Sequence, residues 1–237
     1  MKIMTFNTQH CLNYIERKID FEIMADAIKS CNADIVALNE MRDKGSDPEY
    51  DEQVAILAEK TGLNNFFFAK AILKDGENPY GNGLLSKYRI IKAESIPIPD
   101  PVVKSYKGYY ESRSVLKAKL ENGITVLVTH FGLNPDEHEN AVKTVLENLE
   151  SEKCILMGDF NVLPDNKVLL PIRECMKDVA DFFNTPLNSF PSDHPDRKID
   201  YVFVSHDIEV IDADIPYIIA SDHRPHTATI KIPGCNK

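Results

Sequence analysis

The sequence contains no apolar run approaching the ~20 residues that a membrane-spanning helix needs. Its first residues, Met1-Lys2-Ile3-Met4-Thr5-Phe6-Asn7, turn polar too early for the apolar centre of a secretory leader, so the expected location is cytoplasmic. No two of the five cysteines (Cys11, Cys31, Cys154, Cys175 and Cys235) form a CxxC pair. An odd, scattered set argues against a disulfide framework or a zinc cluster and for reduced thiols. Basic charge is also short: 27 Lys and Arg face 37 Asp and Glu, a formal net charge of −10. Nucleic-acid binding relies on cations that neutralise phosphates, so the chain is a poor non-specific DNA binder unless a local basic groove exists. Fixed-period repeats, low-complexity segments and linker-like stretches are absent as well.

The 237 residues are 43% hydrophobic and 27% charged, the balance of a globular chain able to bury a sizeable core. An acidic surplus also suits a site that gathers carboxylates around a divalent cation. The most informative stretch is Ile155-Leu156-Met157-Gly158-Asp159-Phe160-Asn161. Residues alternate faces along a strand, so Asp159 and Asn161 should point one way and Phe160 the other. Gly, Asp and Asn are also turn formers, and alone the stretch reads equally well as a strand running into a turn.

The remaining pattern alternates strands and helices. Lys2 to Asn7 reads as a strand that ends in the polar turn Asn7-Thr8-Gln9-His10. Helical spacing of Ile23, Met24, Ala27, Ile28 and Cys31 follows, with Asp20 as N-cap. Ile35 to Leu38 is a buried strand that delivers Asn39-Glu40 at its C-terminal end, where open sheets bind ligands. A polar loop spans residues 42 to 51, and Val54, Ile56, Leu57 and Ala58 mark a second helix. Asn65 to Leu73 reads as a strand, Asp75 to Pro79 as a turn cluster, and Gly83 to Ser86 as the start of the next strand. Ile90 to Ile98, Arg113 to Leu120 and Ile124 to His130 are strands, with Asn122-Gly123 as a hairpin signal. The Arg113 to Leu120 strand alternates as if one face were wet. Asp136 to Glu150 is a helix started by Pro135-Asp136, and Lys153 to Gly158 a strand. Val168 to Ile172 and Glu174 to Ala180 are poorly patterned. Ile199 to Val204, Ile208 to Ala213 and Thr227 to Ile232 are the last strands. The loop Lys104 to Tyr110 interleaves bases with aromatics; it reads as ordinary surface, with a substrate-contacting rim as the other reading.

Eight polar residues sit at strand ends or turns beside apolar runs: Asn7, Glu40, His130, Asp159, Asn161, Asp200, Asp222 and His223. Each has a plainer explanation singly, such as Asp200 pairing with Lys198 or His130 as a satisfied core histidine. Together they suit one chemistry. Hard oxygen ligands without cysteine favour Mg2+ or Mn2+ over zinc. A carboxylate can align or deprotonate water. An Asp-His pair can hold an imidazole toward developing negative charge, and metal with cationic histidine and amide donors meets the needs of attack on phosphorus.

The sequence resembles the endonuclease/exonuclease/phosphatase superfamily, the relatives of deoxyribonuclease I. The likeness is carried in family order by Thr5-Phe6-Asn7, Ala33-Asp34-Ile35-Val36-Ala37-Leu38-Asn39-Glu40, Gly81-Asn82-Gly83-Leu84-Leu85-Ser86-Lys87, Val128-Thr129-His130, Gly158-Asp159-Phe160-Asn161, Lys198-Ile199-Asp200-Tyr201-Val202-Phe203 and Ser221-Asp222-His223. It implies an α/β fold, a four-layer α/β sandwich of two packed mixed β-sheets flanked by helices, as one domain over residues 1–237. It implies that Glu40 binds the divalent ion, with Asn7 and Asp222 contributing as metal ligands directly or through water, that Asp159 aligns and activates water, and that Asn161 fixes Asp159 and the phosphate. His223, oriented by Asp200 and helped by His130, would stabilise the phosphorane-like transition state, and Arg113 would hold a non-bridging oxygen.

Two positions depart from the family pattern. Asn39 stands where Gln is usual, so a supporting contact must be water-mediated or rebuilt. Gln9 stands where the abasic-site endonuclease branch commonly has Asp, which weakens the case for a DNA-repair enzyme. Ser189 to Asp193 resembles uncharacterised bacterial members. The expected function is a Mg2+-dependent phosphoesterase acting on a phosphodiester or phosphomonoester, its partner a small-molecule or lipid-head-group substrate. The alternatives are a nuclease, disfavoured by the acidic charge, and a non-catalytic binding protein. The latter should have lost Glu40, Asp159 or His223, and none is lost.

Overall fold

The computed structural model describes residues 1–183 and 185–233, so Cys235 lies outside the described residues. Cys11, Cys31 and Cys154 are buried free thiols and Cys175 an exposed one, as the scattered spacing implies. In chain order the elements are β1 (Lys2–Asn7), α1 (Phe21–Cys31), β2 (Ile35–Arg42), α2 (Gln53–Thr61), β3 (Asn65–Lys74), β4 (Asn78–Ser86), β5 (Ile90–Pro97), β6 (Ser114–Leu120), β7 (Thr125–His130), α3 (Pro135–Asn148), β8 (Cys154–Asp159), α4 (Leu170–Cys175), β9 (Met176–Asp178), β10 (Asp200–Ser205), β11 (Glu209–Asp214) and β12 (His226–Lys231). Local chemistry sets several boundaries. The Asp20 carboxylate accepts from the backbone N–H of Glu22 and Ile23 to open α1, which closes at Asn32 with φ 50°.

Three segments differ from the sequence pattern. The turn expected at Asp75 to Pro79 is shorter, because Asn78 and Pro79 already pair with Lys74 and Leu73 in the β3–β4 ladder. The unpatterned stretch from Val168 to Ala180 holds a short 3-10 turn, α4 and β9, pieces too brief to show a period. On β6 only Lys117 and Lys119 reach solvent on the outer side, since Val115 packs into the layer under α3.

The strands form two six-stranded sheets, ordered β11-β12-β1-β2-β4-β3 and β5-β6-β7-β8-β10-β9. Both are mixed, with β1–β2 and β7–β8 the parallel pairs and antiparallel neighbours around them. Alternation sorts each strand into two faces. On β1, Ile3 joins the layer between the sheets, while Met4 and Phe6 pack outward with Met24 and Ile28 of α1 and Val54 and Leu57 of α2. On β8, Ile155 and Met157 face the other sheet, while Cys154 and Leu156 pack outward with Ala141 and Val145 of α3. Three apolar layers therefore separate four layers of structure, the sandwich that the family resemblance implies.

The inter-sheet face changes character at one end. Its positions run Ile35, Ala37 and then Asn39 on β2, Val126, Val128 and then His130 on β7, and Ile155, Met157 and then Asp159 on β8. Register aligns these ends: Asn7 lies opposite Asn39, His130 opposite Asp159, and Asp200 opposite Asp159. The apolar layer thus ends in buried polar side chains drawn from both sheets. Such groups are costly to bury unless they are paired.

Candidate active site

Asp159 is the centre of the polar cluster. It is 1% exposed, its Oδ2 accepts from Asn7 Nδ2 at 3.1 Å, and its Oδ1 accepts from the backbone N–H of Asn161 at 2.9 Å. Nε2 of His130 and Nε2 of His223 each lie 3.6 Å from Oδ2. Burial drives its carboxyl up to about 7, against the pull of His223, while Asp200 adds to the rise. Phe160 points the other way and packs with Phe131, Tyr201 and Phe203 in the outer layer. Gly158 is needed for close approach: at φ 148° a Cβ would lie 1.8 Å from the Thr129 carbonyl oxygen.

The two histidines are made different by their partners. His223 Nδ1 faces Asp200 Oδ2 at 2.8 Å. Burial opposes its charge, but Asp200, Asp159 and Asp222 together lift it to about 10, so it is cationic at neutral pH. His130 Nδ1 faces Arg113 Nη1 at 3.0 Å, and burial, Arg113 and His223 push it well below its usual value, so it is neutral. The Asp200 carboxylate is therefore not paired with Lys198, whose ammonium instead donates to the Asp200 backbone oxygen at 3.2 Å.

Glu40 reaches the cluster through a bulge. Between Leu38 and Met41 the β2–β4 register slips, and Glu40 adopts φ 62°. An unbroken strand would send adjacent Asn39 and Glu40 to opposite faces; the bulge re-aims Glu40 so that its Oε1 accepts from Asn7 Nδ2 at 3.1 Å. The shorter side chain at Asn39 is accommodated directly. Its Nδ2 donates to Asn82 Oδ1 at 2.8 Å and to the Thr129 carbonyl at 2.9 Å, and its Oδ1 accepts from the Asp159 N–H at 3.0 Å. One amide thus ties β2 to β4, β7 and β8.

A cleft of about 380 Å³ opens over this cluster, lined among others by Glu40, Arg113, His130, Asp159, Asn161, Asp222 and His223. Asn7 and Asp200 lie behind those residues, touching the cleft through Glu40 and His223. Burial raises the Asp222 carboxyl, and Glu40 adds to the rise. All nine residues singled out in the sequence come together here. Asn161 Nδ2 donates to the Phe131 carbonyl at 3.0 Å, which holds its amide beside Asp159.

Several contributors were not singled out as site residues from the sequence. Tyr80 lines the cleft and bonds to Glu40, its phenol held well above its usual value by burial. Glu111 accepts from Arg113. Ser192 fastens the Ser221–His223 turn, through its N–H to the Asp222 carbonyl at 2.7 Å and its hydroxyl to the Ser221 carbonyl at 2.6 Å. The Phe190 ring sits 4.7 Å from that of His223. Of the basic-aromatic loop, Tyr109 reaches the cleft, whereas Tyr110 is engaged by Asp136.

Comparison with known proteins bears on this arrangement. The model of the endonuclease/exonuclease/phosphatase family matches residues 4–223. The chain belongs to that family. Its members are nuclease- and phosphatase-type hydrolases that act on phosphoester bonds. An endonuclease/exonuclease/phosphatase structure from Beutenbergia cavernae DSM 12333 superposes with TM-score 0.80 at 21% identity, over 99% of this chain and 72% of that one. A family protein from Leptotrichia buccalis C-1013-b gives 0.74 at 18% identity, over 98% and 100%. One from Bacteroides vulgatus gives 0.71 at 19%, over 98% of each. These likenesses show the fold. No curated protein matches the sequence.

Proposed function

We propose that this family member is a one-domain phosphoesterase over residues 1–237, dependent on a divalent metal (Mg2+, with Mn2+ as the alternative). Its substrate is a phosphodiester or phosphomonoester of a small molecule or lipid head group. The observation that carries the reading is the Asp159 carboxylate, fixed by Asn7 and Asn161 and flanked at 3.6 Å by one neutral and one cationic imidazole. The net charge of −10 supports a substrate other than nucleic acid.

The donor set suits a hard cation. Glu40 and Asp222 present carboxylates to the cleft, none of the described residues lining it is a cysteine, and the raised Asp159 and Asp222 mark negative charge that lacks compensation. Glu40 and Asp222 would hold the ion. Asn7 aligns Glu40, since its NH2 faces both carboxylates while its Oδ1 accepts from the Gln9 N–H at 3.1 Å. Asp159, Asp200 and His223 also gather donor atoms within 4.8 Å of one another. They make a poor ligand set, because Asp200 Oδ2 is engaged by His223 and a cationic imidazole has no lone pair to offer. Bound at Glu40 and Asp222, the ion supplies Lewis-acid polarisation of the phosphoryl oxygens.

The remaining work falls to side chains. Asp159, poised near neutrality, takes a proton from the attacking water, and Asn161 holds it in line. His223, aimed by Asp200, offers a cationic N–H to charge developing on the phosphoryl oxygens, and His130 offers a neutral one. Arg113, which lines the cleft, supplies further donors to a non-bridging oxygen.

A panel of phosphoesters assayed with and without EDTA tests the reading. Turnover of bis-p-nitrophenyl phosphate should need Mg2+ or Mn2+, and Asp159→Asn should lower it by about 100-fold or more. Unchanged turnover in that variant overturns the mechanism. Strong competition by DNA at physiological salt would favour a nuclease. Absence of calorimetric Mg2+ and Mn2+ binding would favour a non-catalytic binding protein.

A further inference from the structure

We propose that Glu111, braced by Lys74, is a positioning residue that sets the tautomer of His130 through Arg113. The consequence for turnover rests on the function proposed above; the tautomer itself does not. Arg113 Nη1 carries two hydrogens and has two neighbours, Glu111 Oε1 at 2.8 Å and His130 Nδ1 at 3.0 Å. A guanidinium has donors and no acceptor, so His130 Nδ1 must meet it with a lone pair. The ring proton therefore sits on Nε2, the nitrogen that faces Asp159 Oδ2 at 3.6 Å. An imidazolium would set N–H against N–H at 3.0 Å in a buried site.

His223 shows the opposite choice in the same cluster. Its Nδ1 faces a carboxylate, which can only accept from it, so that nitrogen carries a proton. Two imidazoles on one carboxylate oxygen thus receive different protonation states from an Arg partner and an Asp partner.

Glu111 is what makes the Arg113 contact specific. The Arg113 side chain is 11% exposed, and a buried guanidinium needs a counter-charge and a fixed geometry. Glu111, 5% exposed at its side chain, supplies both, accepting from Arg113 on one oxygen and from the Lys74 ammonium on the other. The Lys74 ammonium also donates to the Tyr109 hydroxyl at 3.0 Å, so the chain starts at the cleft rim. It runs Lys74, Glu111, Arg113, His130, Asp159, and joins β3, the loop before β6, β7 and β8. A bridge serving stability alone would have no reason to end on the reacting carboxylate.

Nitrogen-15 NMR of the histidine side chains, read beside steady-state turnover of bis-p-nitrophenyl phosphate, tests this in the full chain. In the wild type at pH 7, His130 should be bare at Nδ1 and protonated at Nε2. Glu111→Gln should shift its signals toward a mixture of tautomers and lower kcat about tenfold, the value of one hydrogen bond to a charged group, with KM little changed. Lys74→Met, a milder change, should shift both in the same direction by less, and it decides the matter if Glu111→Gln does not fold. A His130 protonated at Nδ1 in the wild type overturns the proposal. So does a folded Glu111→Gln, or Lys74→Met in its place, that keeps the wild-type tautomer and kcat while only the Tm falls. If the wild type turns over no phosphoester, the proposed function fails, while the NMR still reads the tautomer.

Discussion

Asp159 illustrates a residue whose usefulness and whose burden have one source. Burial without a full counter-charge lifts its carboxyl to about 7 in the fold, against about 3.8 to 3.9 in an unfolded chain. The folded state thus holds the proton more tightly, and stability falls as pH rises from about 4 through 7. Asp159→Asn removes the charge that the fold resists. In EDTA the variant should therefore show a higher Tm than the wild type at pH 8, with the gain shrinking by pH 5, as thermal melts at the two pH values will show. With Mg2+ present, its turnover should lie about 100-fold or more below wild type at both. Glu40 and Asp222 extend the argument to the ion: Mg2+ should raise the wild-type Tm by mass action, and Glu40→Gln should abolish most of that rise. At this scale the sequence was legible. The residues that touch the cleft chemistry stand at strand ends beside apolar runs, where a polar side chain is conspicuous. Glu111, Tyr80 and Ser192 were not, because each acts on another cleft residue, by a side-chain contact or by fastening a turn's backbone, and spacing along the chain does not show such contacts.

At the scale of elements, two backbone departures aim the site. The β2 bulge turns Glu40 toward Asn7, and Gly158 lets β8 pass against the Thr129 carbonyl of β7. Gly158→Ala must drive a Cβ into backbone on the parallel partner strand, which cannot rotate away. It should cost about 3 kcal/mol or more, seen as a lower urea midpoint with an unchanged slope. The strands and helices themselves followed from periodicity over most of the chain, since apolar alternation and helical spacing are local properties. Val168 to Ala180 was not readable for the same reason: a six-residue helix and a three-residue strand are too short to show a period, and contacts with β10 decide them. The bulge was equally silent. Nothing in Leu38-Asn39-Glu40-Met41 announces a left-handed residue that only its pairing with Gly81 and Gly83 produces.

Across the whole molecule, the buried polar end of the inter-sheet layer couples acid stability to the site. His226 is fully buried on the inner face of β12, its Nδ1–H donates to the Asp200 carbonyl at 3.2 Å, and burial, with Lys198 nearby, lowers it to about 4. Its unfolded value is near 6.5, so the unfolded chain binds the extra proton first; this stabilisation is complete above pH 6.5 and is lost as pH falls toward 4. His226→Gln should accordingly cost stability at pH 7, and the cost should shrink or reverse by pH 4.5, measured by urea unfolding at each pH. No helix among the described residues is long and apolar enough to cross a membrane.

By itself the sequence determined most strands and helices and the identity of the polar residues that gather, because face alternation, capping and strand-end polarity are written in local spacing; the four-layer order came only as what the family resemblance implies. Which histidine is charged, how Glu40 is aimed and what holds Arg113 were decided by tertiary structure alone. Those properties depend on burial and on partners mostly tens of residues away, such as Asp200 for His223, Glu40 for Asn7 and Lys74 for the Glu111 that holds Arg113. A desolvated charge is fixed by what surrounds it in space, and spacing along the chain does not specify that.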